Sequence, residues 1–147
     1  MMLTEPTMTM VFALIQAGRV EAATEQLAAL GDQATLLRHS SVAAALLSAV
    51  SGQRQRADEL ATDMIALDGT AYFDRIVAEL IRATQGDHID ALANARRLAN
   101  EVGDVVAQSI AAAVAERLDP QNAPGEHPEL TSGWATVVRL LTEGVPA

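Results

Sequence analysis

"QAGRVEAATEQL", residues 16–27, sets a glycine between an apolar segment and an alanine-rich amphipathic one. That glycine is one beat of a rhythm. Gly18 recurs as Gly52 and as Gly86, at intervals of 34 residues each. The residues after each glycine repeat too: "GRVEAATEQLAAL", "GQRQRADELATDMIAL" and "GDHIDALANARRLA". Five residues after each stands an alanine, Ala23, Ala57 and Ala91. Ahead of the glycines, Phe12, Leu46 and Leu80 hold equivalent places, with Ala13, Leu47 and Ile81 beside them. A second pair, Gly69 and Gly103, keeps the 34-residue spacing, and Gly31 precedes it after a slightly longer interval.

Each unit reads as two helices joined by a tight turn. Glycine reaches positive φ without steric cost, which suits Gly18, Gly52 and Gly86 to that turn. The alanine that comes next lets the paired helices approach closely. Gly31, Gly69 and Gly103 then end the second helices, and Asp32, Thr70 and Asp104 are expected to N-cap the next ones. Asp87 and Asp90 in "GDHID" form a capping-box-like start. The pattern predicts helices near 5–17, 20–30, 33–51, 53–67, 70–85, 88–102 and 104–118. Composition agrees: half the residues are hydrophobic and only 3% aromatic, so alanine and aliphatic side chains must build the core. Alanine has the lowest helix cost and strand formers are sparse, so the expected class is all-α.

A 34-residue helix–turn–helix period with a glycine turn and a following alanine resembles the tetratricopeptide (TPR) family over roughly residues 5–118. The family's bulky aromatic after the alanine is here Leu27, Ala61 and Ala95, and its closing proline is Thr35, Gly69 and Gly103. Its tryptophan–leucine–glycine–tyrosine pattern is absent; in the third repeat those places hold Arg75, Ala78, Glu79 and Arg82, a mostly charged face. The array is also similar to the alanine-rich helical repeats of bacterial signal-transduction regulators. The resemblance implies a right-handed α–α superhelix of about three repeats, whose first helices line a concave groove. It sets aside one subtype, which grips an acidic C-terminus with a cationic clamp: the matching places are Glu5, Thr9, His39, Ala43, Phe73 and Val77, and none supplies that charge.

The array, 1–118, gives way at "LDPQNAPGEHPEL", where Pro120, Pro124 and Pro128 break helix propagation and 119–128 reads as a loop. In 129–147, Leu130, Trp134, Val137, Val138 and Leu141 recur at helical spacing. Solenoids need a terminal cap, and this helix is expected to be that cap within one compact domain. The alternative is a helix that detaches or docks on a second chain with Trp134 as its anchor.

The 147 residues carry a formal charge of −9 and a sequence pI near 4.6, so a general nucleic-acid partner is not expected. Every basic residue is arginine, which together with the alanine content suggests a bacterial source. Without cysteine there are no disulfides, thiolate metal sites or thiol nucleophiles. The start lacks a basic n-region and a small-residue cleavage site, so no signal peptide is expected. The longest apolar run, "VAAALLSAV" at 42–50, is far short of the ~20 residues of a membrane span. A cytoplasmic protein without a membrane partner is the expectation.

Convergent polar groups are few. His39, His88 and His127 are scattered, and "GDHID" reads as a capped helix start rather than a metal site. No HExxH, nucleophile elbow, GxxxxGK[ST] or GxGxxG occurs, so neither enzyme activity nor a cofactor is expected. Arg56 lies within reach of Glu59 and Asp63 and is expected to make ordinary surface ion pairs. The candidate site is instead the apolar face of the first helices, which carries Met8, Phe12 and Ile15, then Val42, Leu46, Ala49 and Val50, then Phe73, Ile76, Val77 and Leu80. Such a stripe is what any packed helix shows. Part of it can equally form a groove for an amphipathic helix or extended peptide. The expected role is a non-enzymatic interaction or adaptor module whose partner-binding residues are Phe12, Leu46, Phe73, Ile76 and Leu80, with Trp134 as a peripheral anchor. Two alternatives stand beside it. The shortage of aromatic core residues suits a cavity for a regulatory small-molecule ligand, and a mean hydropathy of +0.16 suits a structural homodimer.

Overall fold

The computed structural model describes residues 8–30, 40–67, 69–86, 88–122 and 129–143. Over these the chain is all-helical: α1 (Met8–Gln16), α2 (Val20–Leu30), α3 (Ser40–Val50), α4 (Arg54–Ala66), α5 (Tyr72–Gln85), α6 (Ala91–Val102), α7 (Val105–Leu118) and α8 (Ser132–Thr142), with a short 3-10 turn at Pro120–Asn122. No described residue is in a strand. No helix among them is long and apolar enough to cross a membrane. Glu5, Gly31, Asp32, Thr35, His39, Asp87 and His127, with the stretch 123–128, lie outside the described residues.

Seven of these helices fall within the predicted spans. The pairs α1/α2 and α3/α4 join as the glycine pattern requires. Gly18 and Gly52 stand at φ +77° and +84°. In each turn the glycine N–H donates three residues back, to Ile15 and Ala49, and the next N–H donates to Leu14 and Ser48. These bonds satisfy carbonyls that a helix end leaves orphaned. The alanine five residues on is buried in all three repeats, so the helix after each turn lies flush against its neighbour. Consecutive helices pack on one another along the whole chain, and α1, α3, α5 and α7 also touch in sequence. Central among them is α5, which packs against α3, α4, α6, α7 and α8 and buries Ile76, Val77, Leu80 and Ile81.

Several local expectations are corrected. Gly86 is not left-handed; its backbone is extended at φ −121° and ψ −175°. Thr70 does not cap α5, whose N-cap is Ala71; its hydroxyl donates back to Met64 and Leu67 carbonyls and so closes α4. Asp90 occupies the N-cap of α6 but its side chain makes no cap hydrogen bond, and α6 begins at Ala91 rather than near 88. Asp104 does cap α7, accepting from the Ala107 N–H at 3.0 Å. The charged face of repeat three is folded inward. Glu79 is buried against Arg82 at 2.7 Å, while Arg75 donates to the carbonyls of Leu67 and Thr70. Among the described residues no ion pair of Arg56 with Glu59 or Asp63 forms; Gln55 instead donates to Glu59, and Arg54 to the Thr84 carbonyl.

The final helix does more than cover the end of the array. α8 packs on α7 as a cap would, but also on α5, α3 and α1. It therefore lies along the row of first helices. Val137 and Leu141 enter one buried cluster, with Val11, Ile15 and Leu46. Val138 enters the other, with Ile76, Leu80 and Ile110. Its C-terminal end is pinned by two polar bonds, one buried and one part-buried: Gln85 donates to the Leu141 carbonyl at 3.0 Å and Arg117 to the Thr142 hydroxyl at 2.6 Å.

Candidate functional site

The opposite, N-terminal end of α8 borders an open cleft. One turn of α1 brings Phe12 and Gln16 to it, α3 contributes Val42, α5 contributes Phe73, Asp74 and Val77, and α8 contributes Trp134. The cleft has a volume of about 240 Å³. Trp134 is set by its helix start, since its backbone N–H donates to the Thr131 hydroxyl at 3.2 Å. Gly133 allows the approach to α1, because a Cβ there would overlap the Gln16 side chain. The indole and the Phe73 ring meet edge to face, with centroids 5.6 Å apart and planes at 66°, a favoured arrangement of aromatic quadrupoles.

The concentration of rings here is unusual for this chain. It has two phenylalanines, one tryptophan and one tyrosine, and both phenylalanines and the tryptophan line this one cleft. All three are only partly buried. A protein that builds its core from alanine and aliphatic residues has placed its large rings where solvent reaches them.

The expected partner row splits at this point. Phe12, Phe73 and Trp134 come together at the cleft. Leu46, Ile76 and Leu80, each about 1% exposed, lie in the core with α8 in place and are closed to a partner. Gln16 and Asp74 also line the cleft, and neither carries a signal in the sequence. Asp74 is 7% exposed, yet it stands in the first turn of α5, where an acid ordinarily needs no explanation beyond the helix dipole.

No family model, curated protein or solved structure matches the chain.

A second polar constellation lies on the turn side of the third repeat. His88 Nε2 is 2.8 Å from Asp58 Oδ1, and its Nδ1 is 3.1 Å from Arg82 Nη2. Arginine only donates, so Nδ1 accepts and Nε2–H donates to Asp58. Arg82 also donates to Glu79. The chain Asp58–His88–Arg82–Glu79 thus joins α4, α5 and the approach to α6. Both imidazole nitrogens are engaged, which leaves no open lone pair for a metal or a substrate proton. Among the described residues no group of three or more histidine, aspartate or glutamate side chains is placed to hold a metal. The motif "GDHID" signalled a helix start, but no sequence pattern links His88 to Asp58, 30 residues away.

A recess of about 350 Å³ between α6 and α7 includes Arg96, Gln108, Ser109 and Glu129. Two of its polar groups are spent within the chain: Gln108 donates to the Ala99 carbonyl, and the Ser109 hydroxyl accepts from the Glu129 N–H.

Proposed function

We propose that this chain is a non-enzymatic interaction module that receives a segment of a partner protein at the cleft between α1, α3, α5 and α8. The observation that carries this reading is the convergence of both phenylalanines and the only tryptophan on one partly exposed cleft. Aromatic side chains bring a large contact area at low entropic cost and dominate interface energetics where they cluster. The face beside the cleft already accommodates an amphipathic helix, α8, so its shape suits a helical segment laid alongside. We read the stack as tetratricopeptide-like, a right-handed superhelix of about three repeats in a bacterial cytoplasmic adaptor. Of the expected partner-binding residues, Phe12, Phe73 and Trp134 carry the contact in this proposal, and Leu46, Ile76 and Leu80 support it from below.

The native mass of the full chain, isolated gently from its own host, tests the proposal when compared with a Phe12→Ser variant. Added polypeptide mass that the variant loses supports the adaptor reading. A bare integer multiple of 15.5 kDa in both overturns it in favour of a homodimer, and a few hundred daltons of retained compound in favour of a small-molecule-responsive domain.

A further inference from the structure

We infer that the aromatic cleft is a receptor for an organic cation, specifically an arginine side chain presented by the partner segment. The inference rests on the interaction reading above and states what chemistry that partner brings. Three aromatic residues and one acid, Asp74, line the same small volume. The faces of phenylalanine and tryptophan rings attract a cation through their quadrupoles, most strongly where water is scarce. Asp74, more than nine-tenths buried, adds an acidic side chain to the same wall. It is already engaged within the chain, but a carboxylate offers about four acceptor positions and takes a further donor.

Other ligand classes fare worse on the same residues. A purely apolar group seated here would bring Asp74 no further donor. An anion would meet Asp74 and a chain of net charge −9. A cation with an apolar stem satisfies every wall at once: Val42 and Val77 flank the methylenes, the rings of Phe12, Phe73 and Trp134 flank the head group, and Asp74 accepts its N–H donors. Guanidinium fits better than ammonium because it is planar, weakly hydrated and able to stack on a ring while donating in its own plane. The volume also argues for a single side chain. At about 240 Å³ the cleft lies below the range, from about 300 Å³, of sites that enclose a drug-sized ligand. The acidic surface then steers a basic segment toward it.

Trp134 is the only tryptophan and lines the site, so its emission reports occupancy directly. The full chain is titrated with two amphipathic helical peptides free of tryptophan, identical except that one carries arginine where the other carries uncharged citrulline. N-acetyl-argininamide is the third probe. The expected result is a change in Trp134 emission with the arginine peptide binding about tenfold more tightly than the citrulline peptide. Asp74→Asn should bring the two affinities together, with the arginine peptide losing more than the citrulline peptide. Phe12→Leu, which keeps the bulk but removes a ring, should weaken the arginine peptide more than its twin, and it serves if Asp74→Asn does not fold. Equal affinity of the two peptides overturns the cation receptor while the interaction module stands. Binding of N-acetyl-argininamide without either peptide upholds the cation site and overturns the partner-segment reading. Silence of Trp134 toward all three probes overturns both.

Discussion

The turns of the first two repeats and the turn of the third occupy the same place in the 34-residue period, yet different physics holds them. At Gly18 and Gly52 the backbone is left-handed and two successive N–H groups close the preceding helix. These turns are made by the main chain alone. At Gly86 the backbone is extended and its N–H donates to the Arg82 carbonyl, and side chains add to the closure, through Asp58, His88 and Arg82. Glycine is still needed there, for another reason: a Cβ would come within 2.6 Å of Asp58 Oδ1 and 2.8 Å of His88 Cδ2. The first two glycines provide a conformation, and the third provides room. What the period preserves is the register of the helices, seen in the burial of Ala23, Ala57 and Ala91, and not the geometry of the turn.

Arg82→Ala should strike the third turn hardest. It strips His88 of one partner and leaves the Glu79 carboxylate, with a side chain about 10% exposed, without its cation. Breaking such a pair one-sidedly is expected to cost about 2–3 kcal/mol, below the fully buried case because some water reaches both groups. Urea unfolding monitored by circular dichroism measures it. Gly86→Ala should cost about 1.5 kcal/mol by driving Asp58 off His88, and most of that cost should vanish in an Asp58→Ala background. Full additivity of the two substitutions would mean that the third turn does not depend on the pair. Gly52→Ala has open space for its methyl group and pays only for the left-handed backbone, about 1 kcal/mol. It should add independently to Asp58→Ala, and coupling between them would erase the contrast between the turns. Smallest of all, Arg97→Ala removes a surface pair 3.8 Å long whose side chains are more than 60% exposed, and stability should move by less than about 0.5 kcal/mol.

The helices were legible because their signals are local. Alanine content, glycine punctuation and 3.6-residue periodicity act within a single turn or helix, and the seven predicted spans contain α1 to α7. Caps were legible only in part, since Asp104 obeyed the expected chemistry whereas Thr70 spent its hydroxyl on the preceding helix. A threonine between two helices can serve either, and its sequence context does not choose. The apolar stripe was visible as a stripe, but whether a residue on it is core or surface depends on what lies above. α8 settles that for Leu46, Ile76 and Leu80, and no periodicity in α3 or α5 encodes where α8 docks. Trp134 stood out as the only tryptophan, while Asp74 was hidden by the ordinariness of an acid near a helix start. The Asp58–His88 pair needs two segments 30 residues apart to meet, which is a property of the stack and not of either segment.

The position of α8 changes how the whole stack comes apart. In an open solenoid each repeat touches only its neighbours, so ends fray and unfolding can proceed unit by unit. Here the last helix is in contact with the first as well as with α3, α5 and α7, a staple across the array. Loss of any repeat releases the staple, and loss of the staple uncovers every repeat, so the chain should melt in a single cooperative step. The same connection closes the array to growth. A further helix pair inserted after α7 would have to dislodge α8 from α1.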